Sequence, residues 1–211
     1  MLGQIRREDR RKISIEEEQL LGLPVLTLAL PDREKGSERR LNKGVRLLRS
    51  YKVTRVLAPA GFNDWPALYE RGLRAVDTAA LRCALTPAWV AASLAAKGIS
   101  PGNAVLRLSG SRESPELVRV ALALCPMVRN LVINTPNGGL SARLGREFGL
   151  PVLPARSVQA HLDLTFDPAP ILTGRFTLQS APLPKELEAL PLLTALWESG
   201  RIKTEEIRME I

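Results

Sequence analysis

The sequence predicts an α/β protein: a Rossmann-like, mostly parallel sheet from two tandem βαβαβ units, helices on both faces, and a C-terminal helical segment. Three observations predict it. Short apolar runs of strand length alternate with stretches of helical periodicity. The spacing recurs: counted from Pro24, strand positions lie 30 and then 19 residues apart in the first copy, and 25 and then 21 apart in the second. Finally, an apolar run from Ala104 stops at Ser109-Gly110, and Ser114-Pro115-Glu116 opens an apolar helix. That is the strand–turn–helix entry of a nucleotide-binding unit, where helix N–H groups face whatever sits above the strand ends.

Taken in order, residues 1–12 read as a solvated basic arm, and Ser14 with Glu17 as a capping box opening a short helix over Ile15–Leu21 that Gly22 stops. Leu23–Pro31, bounded by prolines, has the character of a buried strand, and Asp32–Ser37 that of a charged turn. The stretch Ser37–Tyr51 is two-faced: Leu41, Val45, Leu48 and Tyr51 on one side, Arg39, Lys43, Arg46 and Arg49 on the other. A strand over Thr54–Pro59, a short helix through Trp65, Leu68 and Tyr69 ending at Gly72, and a strand over Leu73–Val76 complete the first copy. Two helices are expected between Asp77 and Gly98, the second opened by Thr86 as N-cap and Pro87 at N1.

The second copy repeats the pattern: strand Ala104–Leu108, helix Pro115–Cys125, strand Arg129–Asn134, helix Gly139–Phe148 and strand Leu150–Leu153. Joined in one sheet, the copies would share a crevice between Gly110–Ser114 and Pro59–Asn63. Beyond them, His161–Phe166 alternates like an edge strand, and Ile171–Leu178 reads as a strand bulged at Gly174. Pro191 is expected to separate a helix over Lys185–Leu190 from one over Leu192–Ser199, before a charged tail over Ile202–Ile211. The expected division is an arm with a short helix (1–22), the first unit with its linking helices (23–98), the second unit (99–168) and a C-terminal strand and helix extension (169–211).

Composition narrows the class. The 211 residues are 45% hydrophobic and 25% charged, a globular balance, but only 4% aromatic, so Leu, Val and Ala must build the core. The net charge is +8, and residues 1–60 carry fourteen Lys or Arg against eight Asp or Glu. No apolar run approaches the roughly 20 residues of a membrane span, and the charged start lacks the apolar core of a signal peptide, so no membrane partner is expected. Cys83 and Cys125 stand alone, as in a protein of the reducing cytoplasm.

Chemistry-bearing patterns are few. In the turn Ser109–Glu116, the hydroxyls of Ser109, Ser111 and Ser114, the guanidinium of Arg112 and the helix N-terminus suit a phosphate or carboxylate, while Glu113 and Glu116 oppose one. His161 is the one histidine, two residues from Asp163 on an expected strand, and reads as exposed, not catalytic; no catalytic residue is assigned. His161, Asp163 and Asp167 make no convincing zinc set, and the two cysteines read as packing residues. Walker A, GxSxG and HExxH patterns are absent.

Residues 128–149, Val-Arg-Asn-Leu-Val-Ile-Asn-Thr-Pro-Asn-Gly-Gly onward, resemble the NADP-binding half of shikimate dehydrogenases and glutamyl-tRNA reductases. There the second strand ends in an Asn-Arg-Thr type motif that meets the adenosine ribose phosphate. Asn134 and Thr135 match its Asn and Thr, without the Arg between them. The family's Gly-x-Gly-Gly turn falls on Ser109-Gly110-Ser111-Arg112, where only Gly110 is glycine. The resemblance spans about residues 103–153. It implies the fold and adds Gly110, Asn134 and Thr135 to the turn's own Ser111, Arg112 and Ser114 as the candidate ligand set. NAD(P) is not the favoured cofactor, because side chains at Ser111 and Arg112 crowd a pyrophosphate.

The leading expectation is therefore a cytoplasmic Rossmann-like protein binding a nucleotide or small anionic ligand, without classical dehydrogenase activity. The alternatives are an NAD(P)-dependent oxidoreductase with an altered glycine turn, or a non-enzymatic interaction or scaffold protein. The cationic helix stripe is read as a solvated face, and nucleic acid is not the expected partner. Leu117, Val118, Val120, Leu122 and Leu124 surround the helix 115–125, so the C-terminal segment or a second subunit in a homodimer is expected to cover it.

Overall fold

The computed structural model describes residues 1–9, 12–32, 37–136, 139–149, 152–153 and 158–211. Most of the charged turn expected after Asp32, and residues 150–151 of the expected strand at 150–153, lie outside them. The protein is α/β, with mostly parallel sheets and helices on both sides of them. It divides into two compact units, Met1–Thr78 with Thr177–Arg208, and Ala79–Phe176 with Met209–Ile211. The two βαβ runs do not share one sheet: each unit builds its own five-stranded sheet.

The first unit begins with β1 (Leu2–Glu8), β2 (Ser14–Leu20), β3 (Leu23–Pro31), α1 (Ser37–Ser50), β4 (Arg55–Leu57), α2 (Trp65–Tyr69) and β5 (Arg74–Ala75). Its sheet order is β2-β3-β1-β4-β5, with only β2 antiparallel. Leu2–Glu8 of the expected basic arm is thus the middle strand, paired with β3 and β4, and its Ile5 is fully buried. Its charges are met by partners remote in sequence. Arg6 makes a two-pronged pair with Glu18 at 2.7 and 3.2 Å, and Arg7 meets Asp64 at 3.2 Å. Partial burial works against the Arg6 charge, but the bonds to Glu18 and Glu8 outweigh it and raise the guanidinium pKa.

The expected helix over 15–21 is also a strand. Leu21 and Gly22 take positive φ values of 51° and 78°, the mirror-image turn that closes a two-residue hairpin between β2 and β3. Ser14 donates to Glu16 at 3.0 Å instead of capping a helix. The glutamates along β2 place charge on this edge strand, a feature that disfavours pairing with another chain.

α1 lays Leu41, Val45 and Leu48 into a core with Ile5, Leu26 and Leu28. It closes in a Schellman motif: Val53 N–H reaches the Leu48 carbonyl at 3.2 Å and Lys52 N–H the Arg49 carbonyl at 2.9 Å, with Lys52 at φ 59°.

The second unit runs α3 (Ala79–Ala96), β6 (Val105–Gly110), α4 (Pro115–Leu124), β7 (Asn130–Asn134), α5 (Gly139–Phe148), β8 (Val152–Leu153), β9 (Leu162–Asp167) and β10 (Ala169–Pro170). The sheet order is β10-β9-β6-β7-β8, with only β10 antiparallel. The chain winds outward from β6 to β8 and returns to β9 on the other side of β6, which creates a topological switch point there. The strand expected at the edge, β9, therefore has neighbours on both sides.

α3 is one helix where a pair was expected. The Thr86 hydroxyl donates to the Arg82 carbonyl at 2.7 Å within it, so Thr86 bonds backwards and caps nothing. Among the described residues α3 is the one helix long and apolar enough to cross a membrane by length and composition, and 44% of that stretch is buried within the protein. It packs on α4, whose Leu117, Val120, Ala121 and Leu124 are buried. Of the residues expected to need a cover, Val118 and Leu122 are only half-buried.

The chain closes with β11 (Arg175–Leu178), α6 (Ala189–Glu198) and β12 (Ile207–Glu210), β11 and β12 forming a two-stranded sheet. No helix spans 185–188. Pro191 stands third in α6, where an N–H has no intrahelical partner to lose, so the proline sits inside the first turn and interrupts nothing.

Candidate functional site

The structure brings the sequence-predicted residues of the second unit to one edge. Ser109 of β6 is opposite Asn134 of β7, so Gly110–Ser114 and Asn134–Thr135 follow the carboxyl ends of adjacent parallel strands. Several groups there are already committed. The Ser114 hydroxyl accepts from Leu117 N–H at 3.1 Å and donates to the Pro168 carbonyl at 3.0 Å, tying the turn to the chain after β9. Pro115 has no N–H to offer, and Glu116 adds a negative charge in the first turn of α4. The Glu113 carboxylate accepts from Leu140 N–H at 2.8 Å and so occupies the N-terminus of α5. A Cβ on Gly110 would stand 3.1 Å from the Arg112 carbonyl, because the turn folds back on itself. Ser111, Arg112 and Asn134 are exposed, and Thr135 Oγ1 is shielded from solvent without a hydrogen-bond partner among the described residues.

His161 is structural. Its Nδ1 accepts from Val105 N–H at 2.9 Å while its backbone N–H donates to the Val105 carbonyl at 2.9 Å, which seals the start of β6. Asp163 pairs with Arg107 at 3.2 Å. Burial pushes the Cys83 thiol up, so it resists becoming a thiolate. Among the described residues no three His, Cys, Asp or Glu side chains could hold a metal.

The first unit holds a larger feature. A shallow groove of about 1200 Å³ runs beside α1, lined among the described residues by Lys12, Arg39, Arg40, Lys43 and Arg46 against a single carboxylate, Glu38. Helical spacing sets Arg39, Lys43 and Arg46 on one face, because packing claims the opposite side for Leu41, Val45 and Leu48. Arg49, predicted for the same stripe, is drawn to the Gly72 carbonyl at 3.3 Å. Lys12 and Arg40 join the groove without a signal in the sequence. Lys12 belongs to a segment that reads as an arm, and Arg40 falls outside the helical stripe. Lys12, Arg39, Lys43 and Arg46 make no ion pair among the described residues.

No family model matches the chain, and no curated protein matches it. A solved structure of unliganded arylmalonate decarboxylase is similar at 14% identity over 73% of this chain and 86% of that one, with a TM-score of 0.25. A score that low supports no inference about function. The resemblance to the NADP-binding half of shikimate dehydrogenase is not shown by these comparisons.

Proposed function

We propose that this α/β protein binds a multiply charged phosphate ligand in the groove beside α1. The observation that carries the reading is four cations, Lys12, Arg39, Lys43 and Arg46, on one groove with no ion-pair partner among the described residues. Gathering like charges costs energy unless an anion or screening salt offsets it. Arg39 to Arg46 spans about 10 Å of helix axis, which suits successive phosphates better than one. Arginine's planar fork adds two-pronged phosphate contacts.

Calorimetric titration with tripolyphosphate, ATP and a single-stranded oligonucleotide tests it and separates a small ligand from a polymer. Arg39→Glu with Lys43→Glu should weaken binding by roughly a hundredfold and flatten its salt dependence. The melting temperature should stay close to wild type, since no native ion pair is broken. Undiminished binding by the double variant would sink the reading.

A second reading keeps the ligand on Gly110, Ser111, Arg112, Ser114, Asn134 and Thr135. The unpartnered Thr135 hydroxyl favours it, and the likeness of residues 103–153 to an NADP-binding half belongs here. Thermal stabilisation by NADP, abolished by Arg112→Glu, would support it. Both readings take the protein as cytoplasmic.

A further inference from the structure

A second, separate feature of the first unit has the makings of a ring-binding slot. It is a cavity of about 270 Å³ whose walls include Ala58, Trp65, Tyr69, Val76, Thr78 and Glu188. Ala58 and Val76 directly follow the parallel strands β4 and β5. The cavity therefore opens at the carboxyl edge of the sheet, where α/β proteins place ligands. Most of its lining is apolar, as ring-binding pockets are, with few polar groups to orient the occupant.

The sequence has only nine aromatic residues, and three converge here. Trp65 stacks on Tyr69 with centroids 5.8 Å apart and planes 25° apart, and Phe62 meets Trp65 edge to face at 5.2 Å. Arg74 holds Tyr69 in place, donating to its carbonyl at 2.8 Å with the guanidinium 5.1 Å from its ring centroid. Half-buried Trp65 and exposed Tyr69 thus give the cavity an aromatic wall, and such a wall gains by contact with a planar ring.

Glu188 is exposed and is the charged group of the lining among the described residues. It occupies the N-cap position of α6, yet its side chain makes no capping hydrogen bond. Its segment is anchored by the Pro59–Leu187 bridge and by Ala60 N–H to the Glu186 carbonyl at 2.9 Å. A carboxylate offers two acceptors side by side and no donor. It pairs best with two adjacent N–H groups on one ring edge.

We propose that this cavity binds a planar heteroaromatic ring of the guanine type, packed against Trp65 with its adjacent ring N–H and amino group on the Glu188 carboxylate. Adenine presents an acceptor nitrogen beside its amino group, which a carboxylate repels. Discrimination between the two therefore follows from Glu188.

The test uses guanosine, which has no phosphate, so its outcome is independent of the groove beside α1. Guanosine should quench tryptophan fluorescence saturably and raise the melting temperature. Trp65→Phe should lose the quenching but keep the thermal shift. Glu188→Gln should bind about tenfold more weakly with an unchanged melting temperature for the free protein, and Arg39→Glu should bind normally. The proposal is overturned if guanosine gives no saturable response with the fold intact, if adenosine binds as well, or if Glu188→Gln binds undiminished. Preferential uptake of tetramethylammonium, the ligand of an aromatic cation cage, would overturn it too.

Discussion

A Cβ added to Gly44 would stand 2.6 Å from Cδ2 and 2.8 Å from Cδ1 of Leu28, so α1 lies on the first sheet at a separation only glycine permits. Leu28 is fully buried, so its methyls must repack within the core to admit a Cβ. Gly44→Ala gains about 1 kcal/mol of helix propensity. It meets an overpacking cost of about 1–3 kcal/mol. A net destabilisation of up to about 2 kcal/mol is expected in urea unfolding; a stabilised variant would show that the helix can ride outward.

At the other end of α1, Lys52 takes the left-handed position of the Schellman motif at φ 59°. Glycine adopts that conformation without the Cβ penalty. Lys52→Gly should raise stability by about 1 kcal/mol, whereas Lys52→Val should lower it; the pair of melting curves checks the sign.

Ser114 is buried, accepts from Leu117 N–H and donates to the Pro168 carbonyl. Ser114→Ala removes both bonds and should cost about 1–2 kcal/mol. Ser114→Thr, which keeps the hydroxyl, should recover some of it. Hydrogen exchange should locate the loss at the start of α4.

Cys83 is buried and its thiol pKa is raised by that burial, so the thiolate fraction at a given pH falls below that of an ordinary cysteine. Native protein treated with iodoacetamide at about pH 8 should be modified at half-buried Cys125 well before Cys83. Mass spectrometry of the peptides reads this directly, and equal labelling would contradict the burial.

Glu18 binds Arg6 with both carboxylate oxygens and also accepts from the Thr27 hydroxyl at 2.9 Å. About a third of each charged side chain is exposed, so solvent screening holds the pair's worth to about 1 kcal/mol. Glu18→Gln should lose about that much, and less in molar salt.

What the sequence determined by itself is everything written in local periodicity. The two faces of α1, the strand–turn–helix entry at Gly110–Ser114, the alternation β6-α4-β7-α5 and the short helix at Trp65 follow from side-chain spacing and from Pro and Gly, which act within a few residues. Arg39, Lys43 and Arg46 were legible as a charged face for the same reason. Tertiary structure alone decided which strands meet. Leu2–Glu8 looks like a solvated arm because Arg6, Arg7 and Glu8 are charged, yet it is the middle strand. Its backbone bonds go to β3 and β4, and its charges to Glu18 and Asp64. Ser14–Leu20 mimics a helix start, but the ladder with β3 outweighs a single cap. The slot at Trp65 needed Glu188 brought from 123 positions along the chain. Strand pairing and site assembly join residues far apart in sequence, and no local pattern records which of them will be neighbours.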